Sequence, residues 1–299
     1  MQVMSETPSY QTQTAATPLF PKLLWNRPVS RRAGGRMLIV GGQPGHISEP
    51  QTMYAIAEAA GIGECGVILP DSLEKLVGSK GPASFVASNP TGSLGRAALA
   101  EIMTLSSDYD SLLLAPEAGN NSETAILLER LAEDARVSRI FYGDALTALG
   151  FIVGDLVQSD NHLFIVTMAQ LFKIAGKLEV GIHIERDSGL LNKLQIIANV
   201  VAAGHASYVI LGSDIVVASG GQMSVTPLSR RDTPALQVAA AALLATSWTQ
   251  NPARRYEGLT TGAYIMASTL AKIPADETLT TTNLTAGITA AITSELADF

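Results

Sequence analysis

The sequence predicts an α/β protein in which a central, mostly parallel sheet is flanked by helices and has an antiparallel hairpin at one edge. Short, almost wholly apolar runs alternate with segments whose apolar residues recur at helical spacing, and strands this apolar are typically buried on both faces. The composition is 47% hydrophobic but only 5% aromatic, with 26 glycines. This balance favours small-residue helices packed on a sheet over an aromatic-rich sandwich.

The alternation begins after residue 33. Residues 1–33 are rich in Thr, Gln, Ser and Pro, so we interpret them as a flexible N-terminal arm whose second half packs on the domain or on a neighbouring subunit. Residues 34–299 are then expected to form a single α/β domain. Its predicted strands are 36–40, 66–69, 84–87, 111–114, 139–142 and 163–166. The predicted helices between and after them are 49–60, 94–103, 123–131, 145–149 and 168–174.

The last third of the chain changes character. A long predicted helix, 190–203, precedes three closely spaced strands at 208–211, 215–218 and 223–225. Gly220-Gly221 lies between the last two strands and suits a tight antiparallel turn, which places the hairpin at a sheet edge. Three helices are expected to end the chain, at 234–247, at 256–271 and through Ile288 and Ile292.

Charge and composition exclude several classes of function. The chain has 20 basic and 27 acidic residues, a net charge of −7, so no cationic field is expected to attract a nucleic acid. No apolar run reaches the roughly 18 residues that span a bilayer, and the N-terminus has no signal-peptide pattern, so we expect a cytoplasmic protein without a membrane partner. Its one cysteine, Cys65, fits a reducing compartment. The four histidines are scattered, and no metal site is predicted.

Two loops follow predicted strands at the rim where open α/β sheets bind ligands. Gly41 and Gly42 end the first strand, and they indicate either a tight turn or a loop that approaches a ligand. Gly119 and Asn120 follow the strand at 111–114. We therefore take these four residues as candidates for a substrate cleft.

Asp144 places a carboxylate where a strand ends and a helix begins. Such a residue either caps the helix or contacts a substrate or a metal-bound water. The sequence alone is compatible with both roles.

The start of the helix at residue 234 offers a candidate anion site. Arg230 and Arg231 lie beside a helix N-terminus, whose partial positive charge favours phosphate. Against this, Pro234 has no N–H to donate, and Asp232 repels anions. A helix simply capped by Thr233 or Asp232 is the alternative.

The order of these segments resembles that of the ADP-dependent NAD(P)H-hydrate dehydratase family, which has a ribokinase-like α/β fold. The similarity spans roughly residues 34–273 and is one of order and spacing. The matching segments are the strand and glycine pair at 35–42, residues 114–119 in the slot of a Gly-Pro-Gly-Leu-Gly turn, 142–146 for Asp-Ala-Asp-Ala-Leu, 208–212 for Val-Leu-Lys-Gly, and the Ala-rich helix at 239–245.

The departures fall where the family's chemistry resides. The family's Gly-Thr-Gly-Asp is replaced by Arg-Asp-Thr-Pro at residues 231–234, and its Thr-Pro-His-Pro-Gly-Glu loop is reduced to residues 167–170. Leu211 takes the place of the nucleotide-side lysine, and Tyr142 that of the first Asp of Asp-Ala-Asp. Asp144 alone matches cleanly among the acidic positions.

The resemblance implies repair of hydrated NADH or NADPH, with ADP or ATP and Mg supplying the phosphoryl chemistry and an NAD(P)H-type molecule as ligand. It assigns catalysis to Asp144 and Asp232. The residues expected to bind the nucleotide or its anion are Arg230, Arg231, Thr233 and Gly212. Because the signature motifs are altered, a catalytically degenerate relative is equally expected, one that binds a nucleotide without turnover or acts as an assembly component. An apolar patch at 19–25 and several Ala-rich helices favour a homo-oligomer.

Overall fold

The computed structural model describes residues 8–25, 30–78, 80–114, 116–134, 136–181, 189–230 and 232–294. Within these ranges the strands are β1 (Gln11–Thr12), β2 (Arg36–Val40), β3 (Glu64–Pro70), β4 (Ala83–Val86), β5 (Ser111–Leu114), β6 (Ser138–Phe141), β7 (His162–Thr167), β8 (Ser207–Leu211), β9 (Asp214–Ser219) and β10 (Gln222–Pro227). The helices are α1 (Pro21–Trp25), α2 (Ser48–Ala59), α3 (Glu74–Val77), α4 (Leu99–Ser106), α5 (Ser122–Asp134), α6 (Ala145–Ala148), α7 (Val153–Leu156), α8 (Met168–Lys177), α9 (Leu190–Val201), α10 (Pro234–Gln250), α11 (Arg255–Lys272) and α12 (Thr281–Ser294).

The strands form one sheet in the order β1-β10-β9-β8-β7-β6-β5-β2-β3-β4. Strands β2 to β8 are parallel, and β9 runs antiparallel to both β8 and β10. The predicted parallel sheet with an antiparallel edge is therefore confirmed. Beyond it lies β1, a two-residue strand that pairs in parallel with β10 and was not predicted, because two polar residues have no strand pattern.

Alternate residues of the central strands enter different cores. Met37 and Ile39 of β2 pack with α2, α10, α11 and α12 on one face of the sheet. Leu38 and Val40 pack with α4, α5, α8 and α9 on the other. This double burial explains why consecutive positions within these strands are apolar.

Helix α10 is buried on nearly all sides between α2, α11 and the sheet. Its run of alanines suits this position, because small side chains let neighbouring helices approach closely. Gly262 of α11 shows how close the approach is, since a Cβ atom there would lie 2.5 Å from the Ser247 hydroxyl of α10. The Ala-rich segment is therefore a helix of the interior, and none of the helices in the described ranges is long and apolar enough to cross a membrane.

Residues 8–25 pack on β10 and α11 of the same chain. Gln13, with 1% of its surface exposed, donates through Nε2 to Thr226 Oγ1 at 2.8 Å and to the Thr260 carbonyl at 2.6 Å. Phe20 meets the ring of Tyr256 edge to face at 5.8 Å. The division of the chain into a flexible arm and a domain stays a prediction.

The predicted helices differ from the structure by one to three residues at an end, except for the helix predicted at 94–103, which differs more. The helix predicted at 94–103 begins only at Leu99, after a short 3-10 turn at Arg96–Ala98. Residues 88–94 are instead held as a loop, because Ser88 and Leu94 form a β-bridge around a turn stabilised by the Asn89 side chain. The helix predicted at 145–149 has only four α-helical residues and continues as a 3-10 turn.

Candidate functional site

The strand order reverses between β2 and β5. The chain goes from β2 outward to β3 and β4, then returns to place β5 on the other side of β2. The loops that follow β2 and β5 therefore leave neighbouring strands in opposite directions, and a crevice opens between them at their carboxyl ends. Both loops that the sequence singled out lie at this crevice.

The loop after β5 passes so close to the end of β2 that only glycine fits at Gly41. A Cβ atom on Gly41 would lie 2.2 Å from the Pro116 carbonyl oxygen. Gly42 has a φ of +80° and donates its N–H to the same carbonyl at 2.9 Å. The two glycines thus allow the loops after β2 and β5 to touch at the floor of the crevice.

Asp144 is brought into this crevice from the end of β6. Its Oδ2 accepts the Gly119 N–H at 3.1 Å, and its side chain makes no capping bond to α6. Gly119 has a φ of +88°, and a Cβ atom there would lie 2.5 Å from Gln43 Oε1. The structure therefore joins two predicted site residues, Asp144 and Gly119, while Asn120 is exposed beside them. Asp144 also occupies the N-cap position of α6, as one of its two predicted roles had it, but its side chain is bound to Gly119 rather than to the helix.

Two further carboxylates, Glu49 and Glu117, lie at the same crevice and were missed in the sequence. Glu117, in the left-handed region with a φ of 53°, accepts the Glu49 N–H at 2.9 Å and the Ser48 hydroxyl at 3.1 Å. It therefore caps α2 from a neighbouring loop. Sequence patterns reveal only capping by nearby residues, so no local signal pointed to this contact.

The acidic groups at the crevice perturb one another. Burial, followed by the charges of Glu117 and Asp144, raises the pKa of Glu49 from its ordinary value of 4.5 to about 7. Burial also raises the pKa of Tyr142, with further contributions from Glu49, Asp232 and the other two carboxylates. A carboxyl group with a pKa near neutrality, in a cleft, is typical of a functional site.

Glu49 and Glu117 also line a cavity of about 370 Å³ next to the first turns of α10 and α12. Pro234 and Ala235 contribute the α10 wall, and Thr281 contributes part of the α12 wall. The cavity thus combines three helix starts with two carboxylates, so its electrostatic potential is not that of a simple anion site.

The start of α10 is capped by Thr233, one of the two caps considered in the sequence, and the anion site expected beside it stays a prediction. Thr233 is the N-cap and accepts the Leu236 N–H at 3.3 Å, while Pro234 occupies the first turn and has no N–H. Asp232 is exposed and accepts a bond from Gln237 Nε2 at 2.8 Å. Few amide groups are left there for a phosphate.

Arg230 is bound to the loop between α11 and α12. Its guanidinium donates to the carbonyls of Ile273 at 3.2 Å, Ala275 at 3.1 Å and Glu277 at 2.9 Å, and also to that of Pro274. It stabilises that loop, and its assignment to an anion stays a prediction. Arg231 lies outside the described residues.

The other segments that the family resemblance places near a nucleotide, at the end of β8 and the start of α8, offer little positive charge. Leu211, in place of the family's lysine, is 4% exposed and belongs to the core, and Gly212 follows it at the end of β8. Thr167 forms a capping box with Gln170 at the start of α8, which satisfies the polar groups of that shortened loop. Among the residues that the structure describes, no three metal-ligating side chains form a cluster.

No protein-family model matches the sequence, and no curated protein matches it. Solved structures do share its architecture. A ribokinase-like superfamily protein from Enterococcus faecalis is 15% identical with a TM-score of 0.72, and the match covers 97% of this chain and 99% of that one. An ADP/ATP-dependent NAD(P)H-hydrate dehydratase from Bacillus subtilis, co-crystallised with ATP/Mg²⁺, is 12% identical with a TM-score of 0.63 over 93% of this chain and 98% of that one.

A pyridoxal kinase from Staphylococcus aureus, in complex with AMP-PCP and pyridoxal, is 9% identical with a TM-score of 0.53, and the match covers 81% of this chain and 90% of that one. At identities this low, structural likeness carries the fold and not the activity. The chain therefore has the ribokinase-like α/β fold.

Proposed function

We propose that this protein binds an uncharged, hydroxyl-bearing small molecule in the crevice at the carboxyl ends of β2 and β5 and does not transfer a phosphoryl group to it. One observation carries the proposal. The start of α10 is capped by Thr233 and begins with Pro234, and it shares its cavity with Glu49 and Glu117.

Phosphoryl transfer depends on donors and cations that neutralise the charge of the transferred group. At the start of α10 the amides are few, and two carboxylates face the place where that charge would develop. Loss of one such donor alone typically lowers a rate by about 10²- to 10³-fold. The residues that the structure describes there do not fit the phosphates of a nucleotide.

The carboxylate of Asp144, at the same crevice, suits hydroxyl groups. Its Oδ2 accepts the Gly119 N–H, no further hydrogen bond to this carboxylate is present within the described ranges, and an ionised carboxylate accepts up to four hydrogen bonds. The cavity of about 370 Å³ lies within the range of small-molecule sites, roughly 300–1,000 Å³. The structurally similar pyridoxal kinase was crystallised with pyridoxal, a ligand of this class.

Calorimetric titration with pyridoxal, with and without magnesium ADP or ATP, tests the proposal. We expect saturable binding of a hydroxylated ligand, unaffected by nucleotide, and no phosphorylated product by mass spectrometry. Asp144→Asn is expected to weaken binding about tenfold, because a hydrogen bond to a charged acceptor is replaced by one to a neutral acceptor. Asp155→Asn, an exposed position on α7, is the matched control. Phosphorylation of any probe would contradict the proposal.

Nucleotide-dependent repair of hydrated NAD(P)H is the second candidate. It is favoured by Asp144, which matches the family's motif and lies at the crevice beside Gly119. An assay of hydrated NADH with magnesium ADP or ATP tests it directly. Turnover that is lost in Asp144→Asn, with an unchanged melting temperature, would replace the first candidate by the second.

The third interpretation, an assembly component, rests on the N-terminal arm. Deletion of residues 1–30 followed by light scattering tests it. A lower mass after deletion supports a homo-oligomer held by the arm, and an unchanged mass removes this role for the arm.

A further inference from the structure

A second polar cavity lies at the amino ends of the central strands, where β5 and β6 begin. It has a volume of about 500 Å³ and lies between these strand starts, the end of α10 and the start of α11. The ligand crevice of the ribokinase-like fold is at the carboxyl ends of the strands, so this cavity is separate from the proposed cleft.

Arg255 is the central side chain of this cavity. Its guanidinium stacks on the ring of Trp248, 4.1 Å from the centroid, and donates to the Asp160 carbonyl and to Asn161 Oδ1. Both acceptors are neutral, and within the described ranges no carboxylate forms an ion pair with Arg255. Its buried Nε has no hydrogen-bond partner.

A half-buried guanidinium without a countercharge is unfavourable. Burial lowers the pKa of Arg255, and the charge of Asp160 opposes this only in part. Buried charges in proteins are normally paired, because desolvation is costly without an opposite charge. Among the residues that the structure describes, none forms an ion pair with Arg255, so a further negative charge at this position would be favourable.

Arg136 adds a second positive charge to the same cavity. It is exposed, and the described part of the chain contributes no hydrogen bond or ion pair to its guanidinium. Asp110 is the one acidic residue among the lining residues, and its Oδ2 already accepts the Arg36 N–H at 2.8 Å. Two guanidiniums thus face one engaged carboxylate.

The start of α11 strengthens this positive potential. The helix has 18 residues, and its N-cap, Arg254, makes no side-chain capping bond. Glu257 of its first turn forms an ion pair with Arg254 at 3.7 Å, and the partial positive charge of the helix start adds to that of Arg255 at the cavity, which Pro252 and Arg255 line.

We propose that this cavity binds a small organic anion whose phosphate or carboxylate group is held between Arg136 and Arg255. Guanidinium groups bind both of these groups in bidentate geometry. The volume of about 500 Å³ fits a metabolite rather than a macromolecule.

Inorganic phosphate, pyrophosphate and citrate are the probes, titrated at constant ionic strength maintained with chloride. The chain has two tryptophans, so in Trp25→Phe the emission reports Trp248 alone, directly beneath Arg255. We expect a saturable change in emission. If the phosphates bind more tightly than citrate, the ligand is expected to be phosphorylated. If citrate binds more tightly, the ligand is expected to be a carboxylate. Either result supports an anion site.

Variants at Arg136 decide whether the response comes from this cavity. Arg136→Gln is expected to weaken binding about tenfold, because a hydrogen bond from a charged donor is lost. Arg136→Glu is expected to abolish binding, because its negative charge repels the anion. Arg130→Gln removes an exposed arginine of α5 and is the matched control. Asp144→Asn is expected to leave anion binding unchanged. Absence of saturable binding by all three probes, or binding by Arg136→Glu as tight as in the parent chain, would overturn the proposal.

Discussion

Replacement of Glu49 by glutamine is expected to stabilise the protein at alkaline pH and to have little effect near pH 4. The pKa of this carboxyl rises on folding from 4.5 to about 7, mainly through burial and then through Glu117 and Asp144. Between these two values the folded state holds a proton that the unfolded state has released. Stability is therefore lost as pH rises through this window, and the loss is complete above about pH 7.

The magnitude follows from the size of the rise. A shift from 4.5 to about 7 corresponds to about 3 kcal/mol for a dry site, at about 1.4 kcal/mol for each pKa unit. Glu49 is only half-buried, and solvent screens its neighbours, so we expect about 1–2 kcal/mol. Glu49→Gln removes the charge and keeps the size of the side chain, and the backbone N–H of residue 49 still donates to Glu117.

Urea unfolding at about pH 5 and about pH 8.5 measures this difference. The variant is expected to gain stability over the parent chain as pH rises between these two conditions. Glu101→Gln is the matched control, because Glu101 is also an acidic residue in the first turn of a helix, α4, but is exposed. It is expected to change stability by less than about 1 kcal/mol and equally at both pH values.

An equal gain in stability of Glu49→Gln at both pH values, or a variant less stable than the parent chain at about pH 8.5, would contradict this prediction. Either result would mean that the carboxyl is hydrated or paired and that the acidic groups do not act together at the crevice.

Two further predictions concern single contacts. Gln13→Ala removes the bonds to Thr226 and Thr260 and leaves buried acceptors unsatisfied, so we expect a loss of about 1–3 kcal/mol and faster hydrogen exchange in residues 8–25. Thr233→Ala removes the cap that accepts the Leu236 N–H and is expected to lower the free energy of unfolding by about 1 kcal/mol, measured by urea titration, while Thr233→Ser restores it.

The strands were predictable because their signal is local. The apolar runs of β2 and β5 are buried on both faces, and each was predicted with its observed bounds. The hairpin at Gly220-Gly221 was also predictable, since both glycines have a positive φ, at 57° and 77°, as tight hairpin turns demand. Less regular segments were predicted less well, because side-chain contacts with other loops decide where α4 begins.

The candidate site could be predicted only in part. Asp144 was found because it follows a strand and matches a family motif, whereas Glu49 and Glu117 follow no motif. Arg230 was expected to bind an anion. Its guanidinium instead donates hydrogen bonds to loop carbonyls more than 40 residues away in the chain. Distant contacts of this kind leave no periodic pattern in a sequence.

The sequence by itself determined the α/β class, the parallel sheet and its antiparallel edge, because apolar periodicity and turn residues act over a few neighbouring positions. The tertiary structure alone decided which charges meet. By placing β5 beside β2, it brought Glu49, Glu117 and Asp144 to one crevice. At the other end of the same strands it placed the guanidinium of Arg255 where, within the described ranges, its Nε has no hydrogen-bond partner. Electrostatic interactions depend on distance in space and on burial, and strand order sets both.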